Sequence, residues 1–206
     1  MWYNMKNIYE ELNVKKIINA AGMKTRLGGT LMHPEVIDAM HSAAKSFIDM
    51  EYLQSAASKI ISEITGAEAG FVSSGAAAGL TLSAAACIAK FDPSKMDKLP
   101  NTNDLNNEII IPRSHRNTYD HAYRAAGAIL KEAGVDDRMA GAGVRGVENI
   151  EIEDEITDKT VAIAYTAKSW SSPSIDDVVK IANKHSLPLI VDAAAEIPPL
   201  SNLKNF

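Results

Sequence analysis

Leu189-Ile190-Val191-Asp192-Ala193-Ala194-Ala195 decides how the chain folds. A short apolar run follows Pro188, ends on a carboxylate and gives way to small residues. Such a run suits a strand buried on both faces. An acid at its end faces the ligand-binding edge of an α/β sheet.

Upstream, Ser174 begins a helix, with Asp177 three positions later, where an acid suits the positive end. Val178, Val179, Ile181 and Ala182 supply its buried face. Residues 161–165 are a β-favouring strand. Gly134, Gly141, Gly143 and Gly146 mark irregular structure before it. Residues 128–131 and 108–111 are further strands, separated by a helix over 117–126 that Gly127 ends. The stretch 92–107, with Pro93 and Pro100, is a loop. A helix over 76–90 is entered through Ser73-Ser74-Gly75 from a buried strand at 69–72. Before these lie amphipathic helices over 34–47 and 54–65, the second stopped by Gly66. In the first, Val36, Ile37, Met40, Ala44 and Phe47 recur at helical spacing, and in the second Ala57, Ile60, Ile61 and Ile64 do.

Strands and helices therefore alternate, which predicts an α/β fold with a mostly parallel sheet and helices on both faces. The 206 residues, 46% hydrophobic and 23% charged, are enough for one substantial core. A net charge of −5 and dispersed basic residues argue against a nucleic-acid surface. The apolar stretch 75–89 is too short to cross a bilayer, so no membrane partner is expected. One cysteine, Cys87, excludes an internal disulfide framework, and no metal-ligand spacing is present. A reducing cytoplasm is the compartment these features suggest.

Three junctions could carry chemistry. At Phe71-Val72-Ser73-Ser74-Gly75-Ala76-Ala77-Ala78-Gly79, a strand entering a helix exposes unpaired N–H groups that favour a phosphate. A tightly packed, N-capped helix is the bland alternative. Walker lysine and G-x-G-x-x-G patterns are missing there, which weakens a nucleotide reading. Asp192 near a pyridine nitrogen would favour the protonated ring, because opposite charges stabilise one another. Ala193 and Ala194 would leave room for a flat ring, although Asp192 could simply cap the turn after its strand. At Pro112-Arg113-Ser114-His115-Arg116, His115 could stack on a flat cofactor or move a proton. Arg113 or Arg116 could bind an anionic substrate group. Here the alternatives are a solvated loop and surface ion pairs.

Ile18-Asn19-Ala20-Ala21-Gly22, Leu27-Gly28-Gly29, Gly66-Ala67-Glu68-Ala69, Ser74-Gly75-Ala76-Ala77-Ala78 and Val191-Asp192-Ala193-Ala194 together are informative. In that order they resemble the selenocysteine-synthase-like group of fold-type I pyridoxal-phosphate (PLP) enzymes. Pro112 to His115 and Glu196-Ile197-Pro198-Pro199 point to its branch of D-glucosaminate-6-phosphate ammonia-lyases. The resemblance covers nearly the whole chain and implies a partial aminotransferase-like large domain over 35–206, after an N-terminal segment over 1–34, with the small C-terminal domain absent. It implies PLP as cofactor, with Ser74, Gly75 and Ala76 in the phosphate cup, His115 near the ring face, and Asp192 at the pyridine nitrogen.

The same resemblance implies a small-molecule amine substrate, possibly phosphorylated, and sites at a homo-oligomer interface. It places the Schiff-base lysine one strand beyond the aspartate, a position this chain does not reach; neither Lys24 nor Lys168 matches it. The expectation is thus the N-terminal portion of a PLP-dependent lyase acting on an amino-sugar phosphate or related amino acid, inactive alone. A non-catalytic binding or dimerisation fragment is the first alternative. The second, a selenium transferase acting on seryl-tRNA, is disfavoured because Gly29 stands where that branch usually has an arginine.

Overall fold

The computed structural model describes residues 8–135, 146–194, 196–197 and 199–204. The chain divides into two compact units, 1–50 and 51–206. Of the glycines read as irregular, Gly141 and Gly143 lie outside the described residues.

In the first unit, α1 (Ile8–Glu11) and α2 (Pro34–Ala43) flank a 3-10 turn, Thr25–Leu27. Pro34 opens α2, where its missing N–H costs nothing. The Asn19 side chain closes its own turn: Nδ2 donates to the Gly22 carbonyl at 2.8 Å and Oδ1 accepts from the Ala21 N–H at 2.9 Å. The apolar stripe expected to be buried is exposed, with Val36, Ile37 and Met40 all about half accessible or more. Helical spacing reports which residues share a face, and this unit buries none of that face itself.

The second unit holds a four-stranded sheet in the order β2-β1-β3-β4, with β1 Glu108–Pro112, β2 Ile129–Ala133, β3 Thr160–Thr166 and β4 Leu189–Asp192. Every pairing is parallel. The expected strands at 108–111, 128–131, 161–165 and 189–191 are therefore present, each shifted or extended by a residue or two. One face is covered by α4 (Ala76–Ala89) and α6 (Asp120–Ala125), packed on Ile109, Ile111, Ala162 and Ala164. On the other face Ile110, Ile163 and Tyr165 meet α7 (Asn149–Asp154) and α8 (Ile175–Lys184) through Ile152, Val178 and Ile181. Alternate residues of one strand thus serve opposite cores.

Ser174 caps α8 as expected, its Oγ accepting from the Asp177 N–H at 3.3 Å. Val179 departs from expectation, being 39% exposed because it projects from the solvent side between Val178 and Lys180. The loop at 92–107 contains one short helix, α5 (Pro93–Met96), capped by Asp92. Composition gave no warning of α7. Its signal is the reciprocal pair Glu148 and Glu151, whose side chains each accept from the other's backbone N–H.

The segment 69–72 is not the buried strand its apolar character predicts. It joins no sheet, and Phe71 and Val72 are exposed. Its backbone is bonded instead to side chains of α3 (Met50–Thr65). Gln54 brackets Val72, Ser58 Oγ accepts from the Gly70 N–H at 3.0 Å, and Ser62 Oγ donates to the Glu68 carbonyl at 3.4 Å. These three residues recur every fourth position and so lie on one helix face. A Cβ at Gly70 would fall 2.5 Å from Ile61 Cβ, so the close approach depends on glycine there.

Candidate functional site

In an open parallel sheet, ligands sit at the carboxyl ends of the strands where the strand order reverses. With β1 followed on one side by β2 and on the other by β3, that switch point lies between β1 and β3. The chain leaving β1 there makes a 3-10 turn, Arg113–His115.

His115 is 1% exposed. Its Nδ1 accepts a hydrogen bond from the Thr166 N–H at 3.3 Å, and its carbonyl accepts from Thr166 Oγ1 at 3.2 Å and Asn117 Nδ2 at 3.2 Å. The ring meets Tyr165 edge to face, with centroids 4.6 Å apart. Tyr165 is fixed in turn, its hydroxyl donating to the Pro173 carbonyl at 3.1 Å, and burial pushes its phenol up from the ordinary value.

Thr166 pairs with Asp192 across the β3–β4 ladder, and the Ala167 N–H donates to the Asp192 carbonyl at 2.9 Å. The Asp192 carboxylate accepts from the Ala194 N–H at 3.1 Å, so the turn-capping role weighed for it is present. Its charge also reaches α6. Tyr123 there is held well above its ordinary pKa, first by burial and then by the carboxylates of Asp192 and Asp120.

Gly75, at φ 117°, turns the chain into α4, whose first turn receives no side-chain cap. The N–H groups of Ala76, Ala77 and Ala78 therefore open the helix without helical acceptors. Ser73 donates to the Gly75 carbonyl at 3.0 Å and steadies the turn just beside Ser74. From Ala76 the helix runs beside β4, and an open cleft of about 520 Å³ lies between them, with Ala76, Asp192 and Ala194 in its wall. The structure thus brings Ala76, the last of the three residues expected in the phosphate cup, and Asp192 to one cleft, whose lining does not include Ser74 or Gly75.

Arg113, His115 and Arg116 do not line that cleft; they stand at the ends of β1 and beyond. Arg116 binds both Asp120 and Glu132, and Arg113 Nε lies 3.5 Å from Glu132. Each arginine is held by a carboxylate of the chain, the ion-paired state weighed beside substrate binding. Lys168, just past β3, lies 3.8 Å from Glu196. Sequence reasoning missed Thr166 and Tyr123. Thr166 was visible as the first polar residue after the apolar run 161–165, whereas nothing local in the sequence pairs Tyr123 with Asp192. Among the described residues there is no cluster of metal-ligating side chains and no helix long and apolar enough to cross a membrane.

No family model matches the chain. D-glucosaminate-6-phosphate ammonia lyase from Salmonella typhimurium is 34% identical over 198 residues, covering 92% of this chain and 52% of the lyase. A solved structure of D-glucosaminate-6-phosphate ammonia-lyase superposes with a TM-score of 0.86 at 33% identity, covering 97% of this chain and 53% of that one. The chain is a homologue of that ammonia lyase. Its group extends further: a 5'-C-glycyluridine monooxygenase-decarboxylase from a Streptomyces species is 33% identical, covering 91% of this chain and 48% of the relative. L-seryl-tRNA(Sec) selenium transferase from Aquifex aeolicus is 25% identical, covering 94% and 42%. Aspartate aminotransferase from Thermotoga maritima shares the fold, with a TM-score of 0.52 at 16% identity over 90% of this chain and 48% of that one. The chain spans about half the length of the curated relatives it matches.

Proposed function

We propose that this chain carries the cofactor-binding part of a PLP-dependent lyase whose substrate is an amino-sugar phosphate or a related amino acid. The observation that carries this is the convergence of Ala76, Asp192 and Ala194 on one end of the cleft that runs along β4 beside α4. The residues fit the group. Uncapped amides at the start of α4, with Ser74 and Gly75 beside them, suit a phosphate. A carboxylate at the other wall suits a protonated ring nitrogen. When bound, PLP supplies an electron sink.

Asp192 would hold a proton on the ring nitrogen, and the small Ala194 side chain would leave the ring room beside it. His115 stands outside the wall of this cleft, so it would meet the ring face only where the cleft opens toward the switch point. Arg113 and Arg116 would meet a substrate anion by exchanging Glu132 for it, which makes that contact selective for groups that bind as well as a carboxylate. The relative named for a monooxygenase and decarboxylase activity shares as much sequence as the lyase does, so the substrate is argued from the lyase's fold match. We place the protein in the cytoplasm as a homo-oligomer, and expect residues 1–206 alone to bind cofactor without turning substrate over.

A second reading, a non-catalytic binding or dimerisation module, draws on the exposed apolar side chains of α2. Both readings meet one experiment. The full chain is titrated with PLP by absorbance, reduced with borohydride and mapped for modified lysines. A saturable spectral change that Asp192→Ala abolishes supports the cofactor reading, and no change in the unaltered chain overturns it. Ammonia released from an amino-sugar phosphate by the chain alone overturns its inactivity.

A further inference from the structure

We propose that Thr166 is a positioning residue for His115, holding the imidazole neutral with its proton on Nε2. The argument starts from the direction of one hydrogen bond. The Thr166 backbone N–H donates to His115 Nδ1 at 3.3 Å. A backbone amide cannot accept, so Nδ1 must present a lone pair, and the proton of the neutral ring then belongs to Nε2.

A second bond fixes the ring's support. Thr166 Oγ1 donates to the His115 carbonyl at 3.2 Å, so one residue grips both the ring and the main chain of the 3-10 turn. Adding a proton at Nδ1 would set donor against donor where the side chain is 1% exposed. Tyr165 presents an edge contact, Arg116 is held by Asp120 and Glu132, and Asp192 stands on the far side of Thr166, its partner in the ladder.

The placement of Asp192 gives the device its purpose. A cation at His115 would share the field of that carboxylate, whereas a neutral imidazole leaves the charge to a ligand in the cleft. This last step rests on the cofactor reading; the tautomer and the role of Thr166 do not. His115 is thereby assigned as a neutral ring surface, and not as a base acting through Nδ1.

The test is long-range ¹H–¹⁵N correlation spectroscopy on the full, ¹⁵N-labelled chain without cofactor. His115 is identified among the five histidines by the through-space contact of its ring protons with Tyr165. The expected spectrum has a pyridine-type Nδ1 and a pyrrole-type Nε2. A pyrrole-type Nδ1, alone or with Nε2, overturns the proposal. Thr166→Val removes the hydroxyl and keeps the amide, so Nδ1 should stay pyridine-type while the His115 resonances shift as the turn loses its main-chain grip, and Thr166→Ser should restore the parent positions. Signals in Thr166→Val identical to those of the parent overturn the positioning role. Should Thr166→Val not fold, the parent tautomer still decides the first claim, and Thr166→Ala, which also removes the hydroxyl and keeps the amide, takes its place for the second. Failure of PLP to bind while the tautomer holds removes only the consequence for Asp192.

Discussion

Gln54 holds Val72 through both ends of its amide, Nε2 donating to the Val72 carbonyl at 2.7 Å and Oε1 accepting from the Val72 N–H at 3.1 Å. A side chain here makes the pair of bonds a neighbouring strand would make, and it holds the approach to α4 in place. Gln54→Leu keeps the helix and removes both bonds. Hydrogen exchange at the Val72 amide should accelerate at least tenfold while the amides of β1 and β3 stay protected. The stability lost should be about 1–2 kcal/mol, given the modest net worth of each bond. An unchanged Val72 rate would show that the segment is held by something else.

Ser174 is the one side chain capping α8, the helix that carries Val178, Ile181 and Ala182 into the second core. Ser174→Ala should lower unfolding free energy by about 1 kcal/mol in urea melts. Ser174→Asp should recover most of it, since a carboxylate caps the same amide and suits the helix dipole. Equal losses for both variants would contradict the capping account.

Ile163 is fully buried at the centre of β3, in the cluster with Val178 and Ile181. Ile163→Ala should cost about 2–5 kcal/mol, the range for opening a cavity among side chains that cannot collapse into it. Val179→Ala, on the exposed side of α8, should change stability by no more than ~0.5 kcal/mol. The comparison by thermal or urea unfolding tests the burial assigned to each face.

Cys87 sits on α4 with burial pushing its thiol up, partly offset by Lys90. The folded chain therefore keeps this proton to higher pH than the unfolded chain. Its contribution to stability is complete below the ordinary value of 9.0 and declines as pH rises through the folded value. Alkylation by iodoacetamide at pH 8 should be slower in the native chain than in urea by at least tenfold. Cys87→Ser should flatten the fall in stability above pH 9.0. Equal alkylation rates in the two states would refute the shift.

The parallel sheet was legible because β1, β3 and β4 are continuous apolar runs, a pattern that survives whatever covers them. The end of β4 was legible too: Asp192 breaks its run with the one charge in the stretch 189–195. What the sequence could not disclose was tertiary. Residues 69–72 have the composition of a buried strand, yet their hydrogen bonds go to α3, and composition does not record where a backbone bonds. The same limit hid Thr166, whose importance comes from a residue 51 positions away. The arginines at 113 and 116 showed their charge but not their partners, since Glu132 lies on a different strand.

β4 closes one side of the described sheet, and α4 beside it is apolar but for Thr81 and Ser83. A strand with an unsatisfied ladder next to such a helix is adhesive. That edge borders the same cleft that holds Asp192, so a further strand paired to β4 would become part of the wall around any ligand bound there.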